Sequence, residues 1–370
     1  MKTLVINGSP RGAAGNTEKL VQAFLEGVNE SGGASEVVYL KDKNIKHCTG
    51  CFACWTKTPG VCIHKDDMPE LLEKVKEAQL IVLATPLYIY TVSGMMKDFM
   101  DRLIPLVQPY IDVKNGLCSH PSRYTESGES AVVLISNSGF PEQDHFSGLK
   151  ETVRRCYRGE DGRLAGMICC AGGVLLGVPE LESGLTWYLD AVRLAGREVA
   201  ANRKISPETA SLLDRPLIED QELFAQMANA SWAGMGIERI GDPCVSAESS
   251  PVSQSTLIPP PTELSTVKDL VGGMAASFNS ESAGDMKAVL QFIVTDEIPG
   301  RYYVEIGDGK CLAYEGEHPS PNITITTPSK VWMDISTGKL NGATAFLTGK
   351  YKVSGDIQIL MKLNKLFSTR

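Results

Sequence analysis

Apolar positions over the first 240 residues alternate between two patterns. Leu4-Val5-Ile6, Val37-Val38-Tyr39-Leu40, Leu80-Ile81-Val82-Leu83-Ala84 and Ala131-Val132-Val133-Leu134-Ile135 are short, unbroken apolar runs, and Met167-Ile168-Cys169-Cys170 lies in a fifth. Runs of this length predict strands covered on both faces. Between them the apolar spacing becomes helical. Leu20, Val21, Phe24, Leu25 and Val28 follow Asn16-Thr17, a predicted N-cap. Leu71, Leu72 and Val75 follow Asp67 and Glu70, which have capping-box spacing. Met95, Met96, Phe99 and Leu103 mark a helix from Gly94. Further helices are predicted near 142–157, 181–202 and 219–233, and the polar stretch 107–129 reads as a long loop. Strands and helices in alternation predict an α/β domain: a parallel sheet with helices on both faces.

The pattern changes at Gly241. Residues 242–262 are rich in Ser and Pro and end in Pro259-Pro260-Pro261, which predicts a stiff linker. A helix is then expected over 264–278. Strands follow at Val289–Val294, Tyr302–Ile306, Leu312–Tyr314 and Ile323–Thr326, with a tight hairpin at Asp308-Gly309. Helices return near 329–336, 341–348 and 356–367. The chain thus divides into an α/β domain (1–241), a linker (242–262) and a smaller α+β domain (263–370).

Composition narrows the function classes. The 370 residues are 43% hydrophobic and 22% charged, with a net charge of -8, so a disordered chain and a basic nucleic-acid binder are both disfavoured. No apolar run approaches the roughly 20 residues of a membrane span, and the N-terminal run is too short for a signal peptide. A cytoplasmic protein is the expectation, its ten cysteines being reduced thiols, metal ligands or catalytic groups rather than disulfides.

Two loops point to a bound ligand. Gly8-Ser9-Pro10-Arg11-Gly12-Ala13-Ala14-Gly15-Asn16-Thr17 joins the first strand to the first helix. A phosphate there meets the N–H groups and partial positive charge of a helix N-terminus. Ser9, Asn16 and Thr17 add short donors and Arg11 adds a charge. The order of residues fits neither a Walker loop nor a Gly-x-Gly-x-x-Gly loop. Pro86, Leu87, Tyr88 and Tyr90 follow the third strand, at the strand end where doubly wound sheets bind ligands, and offer surface to a flat ring. Asn137-Ser138-Gly139-Phe140 follows the fourth strand toward the same crevice.

Gly8-Ser9-Pro10-Arg11 with Gly15-Asn16-Thr17, and Ala84-Thr85-Pro86-Leu87-Tyr88 with Ser93-Gly94 and Lys97-Asp98-Phe99-Met100-Asp101-Arg102, resemble the flavodoxin-like NAD(P)H-dependent FMN reductases. The resemblance implies a five-stranded sheet of order 2-1-3-4-5 and an FMN site. Ser9, Arg11, Asn16 and Thr17 would hold the phosphate. Pro86, Leu87, Tyr88, Ser93, Gly94, Ser138 and Gly139 would lie about the ring. NAD(P)H or a redox partner protein is the implied electron donor or acceptor.

Cys48, Cys51, Cys54 and Cys62 form C-x2-C-x2-C-x7-C. Two-residue gaps let successive thiolates point into one volume. Such runs are typical of iron–sulfur ligation, although four thiolates also hold zinc. The segment from Cys48 to Cys62, followed by Asp66-Asp67-Met68, is similar to the iron-sulfur flavoproteins, whose four cysteines bind a [4Fe–4S] cluster. A flavin and a cluster in one fold imply electron transfer in which the cofactors carry the chemistry, so no side chain is singled out as catalytic. Proteins of this kind are homodimers or homotetramers. The remaining cysteines lack ligand spacing, and Cys169 and Cys170 read as packing residues.

Residues 263–370 resemble the sterol-carrier-protein (type 2) domain through Tyr302–Ile306 with Asp308-Gly309, Pro321–Thr326, Met333-Asp334-Ile335 with Gly338-Lys339-Leu340, Phe346–Lys350 and Val353–Asp356. The resemblance implies a five-stranded sheet with helices and an apolar small-molecule ligand. A different class of function is also open: a flavodoxin-type module with a degenerate or zinc-bound cysteine site, serving as a lipid-binding or interaction protein.

Overall fold

The computed structural model describes residues 1–114, 116–124, 130–157, 162–235, 237, 256–259, 261, 265–284, 286–297 and 300–367. Most of the predicted linker 242–262 lies outside them, as does Cys244. The chain divides into two compact units, Met1–Leu217 and Ile218–Arg370.

The first unit is a doubly wound α/β fold. Its parallel sheet holds β1 (Lys2–Asn7), β2 (Ala34–Tyr39), β3 (Leu80–Pro86), β6 (Ala131–Asn137) and β7 (Leu164–Cys170), in the order β2-β1-β3-β6-β7. With β6 and β7 as the fourth and fifth parallel strands, this is the expected 2-1-3-4-5 order. Register runs straight through the centre: Val5 pairs with Val37 and Val82, and Val82 pairs with Val133.

Helices α1 (Asn16–Glu30), α2 (Ala53–Thr56), α3 (Met68–Glu77), α4 (Gly94–Asp101), α5 (Ser147–Tyr157), α6 (Glu182–Asn202) and α7 (Pro207–Leu213) complete the unit. One sheet face presents Leu4, Ile6, Ile81, Leu83, Val132 and Leu134 to Leu71, Leu72 and Val75 of α3, Met96 and Phe99 of α4, and Leu149 and Val153 of α5. Alternation turns Val5, Val82, Val133 and Ile135 to the other face, on the side of α1 and α6. Each such side chain, fully buried, contributes about 1.5–3 kcal/mol.

Three local expectations are revised. Helix α1 starts one residue early, with Gly15 as N-cap, so Asn16 and Thr17 lie inside its first turn. The Asp67–Glu70 capping box does not form, because the Asp67 carboxylate accepts from Asn44 N–H at 2.7 Å instead. The stretch 107–129 is not all irregular. It contains a hairpin, β4 (Asp112–Lys114) with β5 (Leu117–Ser119), and a bridge from Val107 to Ser122. The turn pair Asn115-Gly116 in the sequence signals that hairpin.

The second unit begins with α8 (Gln221–Gly234), which packs against the last helix, α13 (Ile357–Leu366). The unit break therefore falls before the helix that the sequence pattern groups with the first domain. Its mixed sheet has β8 (Thr256–Leu257), β9 (Ala288–Val294), β10 (Arg301–Gly307), β11 (Lys310–Glu315), β12 (Ile323–Thr327) and β13 (Lys352–Gly355), ordered β13-β12-β9-β10-β11-β8. Six strands appear where five were implied. The addition is β8, a two-residue edge strand on β11. Asp308 (φ 50°) and Gly309 (φ 73°) make the expected tight hairpin between β10 and β11. Helices α9 (Val267–Ala276), α10 (Ser280–Ala283), α11 (Ser329–Ser336) and α12 (Gly342–Leu347) accompany the sheet. Phe292, Trp332, Tyr351 and Phe346 form a chain of ring contacts in its core.

Candidate functional site

The loops after β1, β3, β6 and β7 meet at the carboxyl end of the parallel sheet, and hydrogen bonds tie them together. Gly8 N–H donates to Ala84 O at 2.8 Å, and Leu87 N–H to Asn137 O at 2.8 Å. Ser93 Oγ donates to Gly8 O at 2.7 Å and accepts from Met96 N–H at 3.3 Å, capping α4. Ser93 is therefore a strut between two loops, and its hydroxyl is fully engaged. Gly8 must be glycine: a Cβ there would lie 2.9 Å from Met96 Cβ.

At the phosphate-type loop, Ser9 and Thr17 are buried and Arg11 is exposed. The N–H groups of Asn16 and Thr17 belong to the first turn of α1, where no intrahelical acceptor exists. The Asn16 amide faces elsewhere and donates to Gly173 O at 3.0 Å, so this side chain fastens the loop after β7. Glu18 is a buried carboxylate that the sequence reading passed over. It accepts from Asn7 Nδ2 and Tyr39 OH, both at 2.8 Å, and fixes the base of the loop. Burial, reinforced by Glu18, pushes the Tyr39 hydroxyl up to about 12.

Beyond β3, Tyr88 and Thr91 close a two-residue turn whose centre, Ile89 (φ 47°) and Tyr90 (φ 61°), adopts left-handed backbone. That conformation is costly for bulky residues, above all for a β-branched one. It leaves Tyr88, Ile89 and Tyr90 exposed. Pro86 ends β3 buried and Leu87 is half-buried, while Gly94 and Gly139 are open to solvent. Ser138 Oγ donates to Phe140 O at 2.7 Å. Tyr90 and Phe140 both pack on the His145 ring, which joins the second and third loops. The crevice thus has helix N–H groups and an arginine at one end and aromatic walls at the other.

A second site lies on the segment between β2 and α3. Cys48, Cys51, Cys54 and Cys62 line one cavity, with His64, Arg102 and Ile104 among its other walls. Gly50 (φ 63°) and Phe52 (φ 52°) reverse the chain between successive cysteines and aim them into one volume. Ala53 N–H, donating toward Cys51, holds that thiol below its usual range. Burial pushes the Cys54 thiol up, and the nearby Cys62, Cys51 and Cys48 thiolates add to the effect. Among the described residues, no three His, Cys, Asp or Glu side chains come together as one metal ion requires. A single zinc ion needs four sulfurs at about 2.3 Å, whereas a cubane cluster takes its ligands at separate corners. Four thiols on one cavity are a ligand set for either group.

Beneath this cavity is an ion pair that sequence reasoning missed. Arg102 Nη1 lies 2.7 Å from Asp66 Oδ2, and the two side chains are 1% and 0% exposed. Burial alone would raise the Asp66 carboxyl. The Arg102 guanidinium and the N–H groups of Lys46 and Met68 outweigh it and hold the carboxyl low. Cys169 and Cys170 are buried in β7, and burial pushes both thiols up to about 12, which suits inert packing residues.

Residues 1–115 match the family model for NADPH-dependent FMN reductase, and residues 277–368 match that of the SCP-2 sterol transfer family. An iron-sulfur flavoprotein of Archaeoglobus fulgidus is 42% identical over 105 residues, covering 28% of this chain and 46% of its own. One from Methanocaldococcus jannaschii is 43% identical over 106 residues, covering 29% and 53%. The chain spans about half the length of these curated relatives. An FMN-dependent NADH-azoreductase from Bacillus anthracis, solved with FMN, superposes with a TM-score of 0.41 at 17% identity, covering 54% of this chain and 100% of that one. The chain joins an N-terminal segment that matches the NADPH-dependent FMN reductase model to a C-terminal segment that matches the SCP-2 sterol transfer model.

Proposed function

We propose that the chain is an FMN-dependent oxidoreductase of the iron-sulfur flavoprotein type, with a [4Fe–4S] cluster on Cys48, Cys51, Cys54 and Cys62. The observation that carries this reading is the convergence of those four cysteines on one cavity, in the same unit as a crevice of the kind that binds a phosphate and a flat ring. When bound, FMN exchanges electrons in pairs or singly and the cluster takes them one at a time, so the protein links two-electron and one-electron partners. Arg11 and the first-turn N–H groups of α1 hold the FMN phosphate, with Ser9 beside them. Pro86, Leu87 and Tyr88 face the ring, Ser138 and Gly139 close the third side, and Ser93 braces the loops behind it. NAD(P)H or a redox partner protein supplies or removes the electrons.

The second unit takes an apolar small-molecule ligand in this reading. The match of residues 277–368 to the SCP-2 sterol transfer model supports it. Self-association into a homodimer or homotetramer is supported by apolar side chains exposed on and beside the β4–β5 hairpin: Tyr110, Ile111, Val113 and Leu117.

The test is metal, acid-labile sulfide and flavin content of anaerobically purified protein. About four iron and four sulfide per FMN is the expected result. One zinc per chain would replace the cluster by a structural metal. Protein with neither flavin nor metal would move the function to the second unit, as a binding module.

A further inference from the structure

We propose that Arg102 and His64 are positioning residues that donate hydrogen bonds to the sulfur atoms of the cysteine centre and so set its reduction potential. The inference rests on the cluster reading above.

Arg102 caps the C-terminal end of α4, where a cation is favoured, yet its side chain is almost wholly buried. A buried guanidinium is tolerated when its N–H groups are taken up. Two sides of the fork are. Nη1 donates to Lys46 O at 2.6 Å and to Asp66 Oδ2, and Nη2 donates to Asp66 Oδ1 at 3.2 Å. Asp66 is itself held by Lys46 N–H at 3.0 Å and Met68 N–H at 3.2 Å, so the fork cannot swing. The third side is open. The guanidinium also meets the Cys62 thiol, its Nε is buried without a partner of its own, and the residue lines the cysteine cavity. His64 repeats the pattern: its Nε2 is buried without a partner and it lines the same cavity. Two residues that line the cavity of the four thiols thus each keep a buried nitrogen for which sulfur is the acceptor at hand.

An ion pair that served the fold alone would leave no unpaired buried nitrogen on a residue lining the cysteine cavity. Hydrogen bonds and positive charge directed at cluster sulfurs favour the reduced, more negative state and raise the potential. Lysine in place of Arg102 keeps the charge and can still meet Asp66, but it has no fixed Nε–H in a planar fork.

The experiment is a redox titration of the full-length, anaerobically purified protein, followed by electron paramagnetic resonance, on wild type, Arg102→Lys and His64→Phe. Iron and sulfide are counted on each sample. Both variants should keep wild-type iron content and show a more negative midpoint potential. Arg102→Lys with a full cluster and an unchanged potential would overturn the assignment. If Arg102→Lys emerges without iron, His64→Phe decides: a negative shift supports the proposal and an unchanged potential overturns it. Wild-type protein without iron would overturn the cluster reading itself, and this inference with it.

Discussion

Ser93 and Arg11 lie at the same crevice but do different work. The Ser93 hydroxyl is spent inside the protein, on Gly8 O and the α4 N-terminus, whereas the Arg11 side chain reaches solvent. Ser93→Ala should therefore cost about 1 kcal/mol of stability, the ordinary worth of an N-cap, and lower the melting temperature by a few degrees. Arg11→Ala should leave the melt unchanged and weaken FMN binding about tenfold, the loss of one charge-assisted contact of about 1.4 kcal/mol. Quenching of flavin fluorescence on binding reads the second effect. Glu198 offers a pH test at the same scale. Its carboxylate accepts from Ser206 N–H, Ser206 Oγ and Thr209 Oγ1 at 2.8–2.9 Å. Partial burial would raise it, but those donors outweigh the burial and hold it low. A lowered folded value stabilises the protein above the unfolded value of about 4.3, and the contribution disappears as pH falls through the folded one. Glu198→Gln should melt several degrees below wild type at pH 7, and the gap should close toward pH 3.

Between elements, α1 and α6 approach so closely that two glycines are needed. A Cβ on Gly27 would sit 1.9 Å from Arg193 O, and one on Gly196 would sit 2.1 Å from Phe24 O. Glycine in a helix interior costs about 1 kcal/mol against alanine, so its presence in both helices marks the contact. Gly27→Ala or Gly196→Ala must push the helices apart, costing about 1–3 kcal/mol, against the slight gain propensity alone would give. A urea melt distinguishes these signs. Neither glycine is conspicuous in the sequence, because close approach is a property of two segments distant along the chain. What the sequence makes legible is local. Buried strands such as Leu80–Ala84 announce themselves as unbroken apolar runs, and the cysteine spacing announces shared ligation. Arg102 and Asp66 are not legible in that way. They are ordinary charged residues until α4 and the segment before α3 bring them together and bury them. Asn16 misleads for a related reason: its type suits a helix start, but a loop more than 150 residues onward claims its amide.

At the scale of the whole molecule, the position of the unit break decides how the chain can be divided. Composition places it at the Ser/Pro-rich stretch after Gly241, whereas compactness places it between Leu217 and Ile218. The difference is α8. Leu223, Phe224 and Met227 on this helix are buried, and α8 packs against α13 at the far end of the same unit. A fragment of residues 1–241 keeps α8 but deletes α13, the helix it packs against, with the rest of the second unit. A fragment of residues 1–217 omits the helix and keeps the sheet, the crevice loops and the four cysteines. The shorter fragment should be monodisperse and bind FMN as the full chain does. The longer one should bind a hydrophobic dye and aggregate in light scattering, as exposed apolar patches do. If instead the longer fragment is the better behaved, with the higher melting temperature, then α8 draws its stability from the first unit. The boundary would then lie where the composition puts it.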